Sequence, residues 1–301
     1  SNLVDNYINQ KKNKIILCDK KNQFDGPKVK NILSNFQKNL IRLTKNNDRN
    51  LIVGILLERN VYYLISIFAC WKTGATIVPL NKEWPSKHLE EIKKKLEFDY
   101  VITDEIKFKK NKNDLYLKDL LKYNKDELFN KNLVNLRKKN TSPYIIFTSG
   151  SSGFQKGVEI SSEGYLDYIY WTKKKFRKFK NFSPLIITAE MTFDITMGDI
   201  AFALSNKTSI VISSSAKNIF EHLYLIKKYK VEIFYSVPTT INLILDYSKI
   251  NNEIKTIKLF MSGGDVFNLD MVGKIIKNNP KAIFFNVYGP TECTINVTSL
   301  R

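Results

Sequence analysis

Residues 144–161 read YIIFTSGSSGFQKGVEIS, and this stretch decides how the rest of the chain is understood. An apolar run from Tyr144 to Phe147 opens into Thr148, Ser149, Gly150, Ser151, Ser152 and Gly153, and Lys156 and Gly157 follow. Glycines let backbone N–H groups turn inward with no Cβ in the way, and the hydroxyls add donors. A lysine then supplies a point charge for phosphate oxygens. The pattern G-x-x-x-x-G-K-[ST] is not met, because Gly157 follows Lys156, so this is no Walker loop. A solvated Gly/Ser turn is the plain alternative, and the surrounding chain has to choose between them.

Working outward, the apolar period keeps switching. LIVGILLE (51–58) reads as a strand and NVYYLISIFACWKTG (60–74) as a helix stopped by Gly74. ATIVPL (75–80) is a strand, PSKHLEEIKKKLEF (85–98) a polar-faced helix and YVITD (100–104) a third strand. Residues 105–140 look like a peripheral lysine- and asparagine-rich connector. Beyond the loop, strands are expected at 184–189, 208–213, 231–237, 257–262 and 282–287. Helices are expected at 164–178, 194–205, 216–229, 239–248 and 267–278. This β-α-β rhythm predicts a multilayered α/β fold with parallel-type sheets, in two sub-units of about 1–140 and 141–301. Ligands gather beyond the carboxyl ends of parallel strands. Three unusual loops fall there: 148–157, SGGD (262–265) and YGPTE (288–292).

Composition narrows the function classes. With 43% hydrophobic residues, 19 Phe and 15 Tyr in 301 residues, the chain can bury a large core. No run approaches the ~18 apolar residues of a membrane span, and the N-terminus has no apolar signal region, so a cytoplasmic protein is expected. Cys18, Cys70 and Cys293 are too scattered, even with His88 and His222, for a zinc site, and read as free thiols. The net charge of +19 raises a nucleic-acid partner, but the lysines are spread through most segments and interleaved with acids, as on solvated helix faces.

The loop FTSGSSGFQKGV resembles the signature of the adenylate-forming, AMP-binding enzymes: acyl-CoA synthetases, luciferases and amino-acid adenylation domains. WKTGATIVPLNKEWP (71–85), TFDITMGDI (192–200) and NVYGPTE (286–292) resemble three further motifs of that family, in order. The segment from Val266 resembles D-alanine:carrier-protein ligases, and adenylation domains of nonribosomal peptide synthetases are similar almost as strongly. The resemblance implies ATP and Mg²⁺ as cofactors and phosphopantetheine on a partner carrier protein. Thr148, Ser149, Gly150, Ser151, Ser152, Gly153, Lys156 and Gly157 would wrap the β- and γ-phosphates. Gly263, Gly264 and Asp265 would lie along adenine and sugar, and Asn286 would meet the adenine amino group. Tyr288 would stack on the base within Val287, Gly289 and Pro290. Thr291 would bond the α-phosphate, and Glu292 would hold the metal. Thr148, Lys156, Thr291 and Glu292 are the implied catalytic set.

Asp194 carries the substrate class. In the amino-acid-activating branch the matching aspartate binds the α-ammonium, whereas acyl-activating relatives need no acid there; taken alone, it reads as an ordinary helix-start aspartate. The rest of the implied pocket reads Ile195, Gly198, Ser236, Met261, Gly263, Val287, Ile295 and Asn296, with no charge among them. It predicts an uncharged amino-acid side chain of small to medium size.

Departures from the family pattern are Gln155, where most relatives have proline, and Ser162, where many acyl-activating members have histidine. The chain stops nine residues after Glu292, so the family's small C-terminal domain and its lysine are not in it. By itself the fragment is expected to bind ATP weakly and turn over poorly or not at all. Cys293 reads as a packed thiol without a histidine partner. The expected activity of the parent is ATP-dependent formation of an aminoacyl-adenylate for transfer to a carrier thiol. The rivals are an acyl-activating ligase and a non-enzymatic, basic nucleotide- or RNA-binding protein on a related scaffold.

Overall fold

The alternating stretches sort into two sheets. The structure, a computed structural model, describes residues 2–10, 14–44, 50–105, 113–122, 142–149, 155–179, 183–248 and 253–301. The chain begins with α1 (Asn2–Ile8), β1 (Ile15–Cys18), β2 (Gln23–Asp25) and α2 (Gly26–Thr44). It continues through β3 (Ile52–Leu56), α3 (Val61–Thr73), β4 (Thr76–Pro79), α4 (Ser86–Lys95) and β5 (Tyr100–Thr103). Next come β6 (Asp114–Tyr116), α5 (Leu117–Leu121), β7 (Tyr144–Ser149), β8 (Gln155–Ile160) and α6 (Ser162–Lys175). Then follow β9 (Leu185–Ile187), α7 (Asp194–Asn206), β10 (Ile210–Ile212), α8 (Ile219–Tyr229) and β11 (Ile233–Ser236). The last elements are α9 (Pro238–Tyr247), β12 (Leu259–Ser262), α10 (Leu269–Asn278), β13 (Ile283–Tyr288) and β14 (Thr298–Leu300).

The six-stranded sheet has the order β6-β5-β3-β4-β7-β8, parallel except for β8. The eight-stranded sheet has the order β14-β13-β12-β11-β9-β10-β1-β2, parallel except for its two edge strands β14 and β2. The expected division near residue 140 does not separate these sheets. Strand β1 pairs with β10, Leu17 facing Ile210 from the far side of the division, and β7 and β8 return to the six-stranded sheet. The N-terminal hairpin gave no clear signal in the sequence. Asp19 builds its turn, accepting from the amides of Lys21 and Asn22, and its other oxygen accepts from the amide of Val61 at the start of α3.

Strand alternation sets the layers. Ile187, Tyr235, Met261 and Phe285 point to an inner core with α2, α3, α6 and α7 and with residues of the six-stranded sheet. Ile186, Phe234 and Phe260 point the other way, onto α8, α9 and α10. A third cluster packs α4 on the far side of the six-stranded sheet through Leu89 and Ile92. The order is helix, sheet, helix, sheet, helix. Helix α3 is buried almost all round, which explains its weakly amphipathic sequence. Asn60 caps its start by accepting from Tyr62 N–H, and Gly74 ends it at φ 82°, the left-handed conformation favoured by glycine.

Among the described residues no helix is long and apolar enough to cross a membrane. Cys18 and Cys70 are buried free thiols, each pushed up to about 12 by burial. Cys293 is exposed, not packed as expected, because it sits on the outer turn that joins β13 to β14.

Candidate functional site

The stretch at 144–161 is a β-hairpin. Strand β7 continues through Ser149 and β8 starts at Gln155, so the expected loop is shorter than its sequence suggested. Thr148 is directly opposite Lys156, and Phe147 is opposite Gly157. Residues directly opposite in an antiparallel pair share a face, so the hydroxyl and the lysine project together from the base of the turn. Lys156 and Gly157 are exposed. Gly150, Ser151, Ser152 and Gly153 lie outside the described residues.

The other two loops leave the carboxyl ends of β12 and β13, which run parallel in register. Alternation divides their residues between two faces. Met261, Gly263 and Val287 belong to the inner face, while Asn286 pairs with Ser262 and shares the opposite face with Tyr288. Tyr288 is 64% exposed, its ring bare at the strand end. Gly263 is required by contact: a Cβ there would lie 2.9 Å from both the carbonyl oxygen and a methyl of Val287. Gly264 takes φ 82° beside Ile195 and Val237. Asp265 is exposed and accepts from the amide of Val266.

Beyond β13 the chain turns sharply. Residues 291–293 form one turn of 3-10 helix, Thr294 and Ile295 both have positive φ (64° and 72°), and β14 returns antiparallel. A Cβ on Gly289 would sit 2.4 Å from the carbonyl oxygen of Ile295. The backbone of residue 289 therefore lies against residues 295 and 296. For the β-branched Ile295 a left-handed backbone is an outlier worth about 1–3 kcal/mol of strain. That strain presents Ile295 and Asn296 inward while Pro290, Thr291 and Glu292 stay on the outer loop.

Asp194 opens α7, where the helix dipole favours an anion. One carboxylate oxygen, Oδ2, is buried without a hydrogen-bond partner. Burial pushes the Asp194 carboxyl up to about 6; a hydrogen bond from Thr291 acts against that rise, and the nearby charge of Glu292 adds to it. Asp194, Thr291 and Glu292 are thus neighbours, although about a hundred residues separate them in the chain. Ile195 and Gly198 continue the same helix. A Cβ on Gly198 would lie 3.1 Å from Ile295, 3.2 Å from the Tyr168 hydroxyl and 3.4 Å from the Tyr235 ring.

Ser236 does not join this group. It follows Phe234 at spacing two and so takes the outer face, where it is buried and accepts a hydrogen bond from Thr188. Tyr235 occupies the inner face, in register with Met261. Its hydroxyl donates to Asn296 Oδ1 at 2.9 Å, and Asn296 Nδ2 donates to the Tyr168 hydroxyl at 3.0 Å. Sequence reading missed Tyr168 and Tyr235. Alternation along β11, with Phe234 and Ser236 on the outer face, would have put the second on the inner one. Tyr168, with Tyr165, Ile169 and Thr172, follows the helical spacing of the buried face of α6.

Glu292 is exposed on its turn, and no ion pair occupies it among the described residues. No group of three metal-ligating side chains occurs there either. A lone carboxylate suits Mg²⁺, which is commonly held by one or two carboxylates together with substrate phosphates. The residues present fit that ion.

This architecture is that of the large N-terminal domain of adenylate-forming enzymes. A family model described as AMP-binding enzyme matches residues 9–301, and the chain belongs to that family. Bacitracin synthase 2 of Bacillus licheniformis is 29% identical over 252 residues, covering 82% of this chain and 9% of the synthase. The dapdiamide synthesis protein DdaD of Enterobacter agglomerans is 26% identical over 249 residues, covering 82% of this chain and 40% of DdaD. The chain therefore spans less than half the length of these relatives. Among solved structures, the Klebsiella oxytoca NpsA N-terminal subdomain with 3-hydroxybenzoyl-AMSN superposes with a TM-score of 0.85 at 18% identity. That match covers 99% of this chain and 74% of that subdomain chain. The nonribosomal peptide synthetase FmoA3 gives a TM-score of 0.86 at 15% identity, covering 99% of this chain and 32% of FmoA3. At these identities the structural likeness speaks for the fold.

Proposed function

We propose that the protein carrying this chain joins an amino acid to ATP, forming an aminoacyl-adenylate that is then passed to the thiol of a carrier-bound phosphopantetheine. The observation that carries the reading is the unpartnered Oδ2 of Asp194, buried at the start of α7 beside Thr291 and Glu292. A buried carboxylate oxygen without a partner is costly, and an α-ammonium supplies the missing charge and donors.

The two faces of β13 then separate the two substrates. Asn286 and Tyr288 take the nucleotide side, with Asn286 meeting the adenine amino group and the exposed Tyr288 ring stacking on the base. Gly263, Gly264 and Asp265 lie along adenine and sugar. The hairpin from Thr148 to Gly157 holds the β- and γ-phosphates, with Lys156 as the point charge. Thr291 meets the α-phosphate and Glu292 holds Mg²⁺, which neutralises charge on the phosphates when bound. An oxygen of the amino-acid carboxylate bonds to the α-phosphorus, the bond from phosphorus to the bridging oxygen breaks, and that electron pair leaves with pyrophosphate. The chain's part in this is positioning and charge neutralisation.

On the amino-acid side, Ile195, Gly198, Met261, Gly263, Val287, Ile295 and Asn296 line the space beyond Asp194, with Tyr235 in place of Ser236. Met261 is buried, and the Tyr235 ring crosses the floor of this space. This favours a small uncharged side chain.

Amino-acid-dependent ATP–pyrophosphate exchange by the full-length parent tests the reading. The expected result is exchange with a small uncharged amino acid, lost in Asp194→Ala. Exchange with no amino acid, or a preference for Asp, Lys or Arg, overturns it.

A further inference from the structure

Arg59 lies in the turn after β3 of the six-stranded sheet, just before the cap of α3 at Asn60, yet its guanidinium spends its hydrogen bonds on the other sheet. Nε donates to the carbonyl oxygen of Ser213 at 3.1 Å, Nη1 donates to that of Ala189, and Nη2 reaches that of Ile187 at 3.5 Å. The carboxylate of Glu190 lies 3.6 Å from Nη1. These carbonyls sit at or just past the carboxyl ends of β9 and β10, and the Arg59 side chain is only 10% exposed. It borders a polar cavity of about 220 Å³ between the strand ends of the two sheets, lined also by Lys82, Glu83, Thr192 and Ser215.

The carbonyl of Glu190 continues the connection. It accepts from the amide of Phe193 at 3.0 Å and from the Thr196 hydroxyl at 2.9 Å. Phe193 is the residue before Asp194, and Thr196 lies in the first turn of the same helix. A short hydrogen-bonded path therefore runs from Arg59, through residues 189 and 190, to the turn that aims Asp194. Neighbouring cations do not duplicate it. Lys82 is engaged by Glu58, Asp104 and Glu105 on its own sheet, and Lys217 pairs with Glu83.

We propose that Arg59 is a positioning residue for the amino-acid subsite: by tying the ends of β9 and β10 to the opposite sheet, it fixes the 188–193 connection and the direction of Asp194. The inference rests on the ammonium role proposed for Asp194. A guanidinium fork can serve three carbonyls at once, whereas a lysine in its place is a single point charge that cannot span them.

The test compares the full-length parent with its Arg59→Lys and Thr196→Val variants in pyrophosphate exchange. KM for the amino acid is expected to rise about tenfold or more in Arg59→Lys, the effect of losing charge-assisted hydrogen bonds, while KM for ATP changes less than about twofold. Thr196→Val, which removes one link without a buried charge, shows the same split at a smaller size. Amide hydrogen exchange on the same proteins is expected to rise in 189–196 and to stay unchanged in 286–292. Equal rises in both KM values, or faster exchange throughout the chain, overturn the inference and make Arg59 a general strut. A wild-type protein that shows no amino-acid-dependent exchange overturns instead the reading of Asp194, and this inference with it.

Discussion

The Tyr235 hydroxyl donates to Asn296 at 2.9 Å, joining a strand residue to a strained turn 61 positions later. Tyr168 extends the connection as the acceptor of the Asn296 amide. Together they hold an aromatic ring between Gly198 and Gly263, two positions where the missing Cβ leaves room for it. The floor of the proposed pocket is thus a locked ring and not a row of loose aliphatic side chains. Tyr235→Ala is expected to let larger uncharged side chains enter. The kcat/KM ratio of a large to a small amino acid should rise by roughly 10-fold or more, the scale of a few methylenes in an apolar pocket. A panel of amino acids in pyrophosphate exchange measures this. An unchanged ranking shows that the ring is not the floor.

The ammonium role proposed for Asp194 predicts pH-dependent binding. Its carboxyl is raised to about 6, mainly by burial, and only the ionised form attracts an ammonium. The kcat/KM for the amino acid is therefore expected to fall as pH drops through about 6. The sign follows from the free enzyme, whose protonated Asp194 no longer offers a charge. Asp194→Asn should remove most activity at every pH, and with it this acid limb. A limb that survives in the variant belongs to another group.

Asp199 lies on the same helix, fully buried, with its Oδ2 unpartnered, and desolvation holds its carboxyl well above the usual range. A folded state that keeps this proton loses stability as pH rises above the unfolded carboxylate pKa, because unfolding lets the group ionise. Asp199→Asn removes that penalty. Its Tm should exceed that of the parent at pH 8 and match it near pH 4, as followed by thermal unfolding at both values. A lower Tm at pH 8 means the carboxyl has a partner role that the amide cannot fill.

Gly289→Ala should damage the proposed nucleotide loop. The added Cβ would meet backbone at 2.4 and 2.6 Å, and backbone cannot rotate away as a flexible side chain can. Overpacking of this kind costs about 1–3 kcal/mol. The loop must shift, so ATP affinity measured by calorimetry is expected to fall along with the melting temperature. Unchanged affinity would place the nucleotide elsewhere.

Much of this was legible in sequence because it is written locally. Period-two and period-3.6 apolar patterns placed the strands from β3 to β5 and from β9 to β13 with their helices, and Gly74 marked the end of α3. Asp194 stood out through its place in TFDITMGDI, a motif that resembles the family; alone it reads as an ordinary helix-start aspartate. The N-terminal hairpin did not stand out: β1 has four residues and β2 three, and what defines them is pairing with each other and with β10. Arg59 is one arginine among 48 basic residues until its carbonyl partners are known.

The sequence by itself determined the α/β class, the order of its elements and the motifs that mark the family, since each depends on residues within a few positions of one another. Only the tertiary structure decided which face each strand residue takes, and so that Tyr235 and not Ser236 shares the inner face with Met261 and Val287. It also decided that Asp194 meets Thr291 and Glu292, and that Arg59 ties one sheet to the turn of the other. These depend on strand register and on long-range packing, where shifting a strand by one residue reverses every side chain and no short stretch of chain holds both partners.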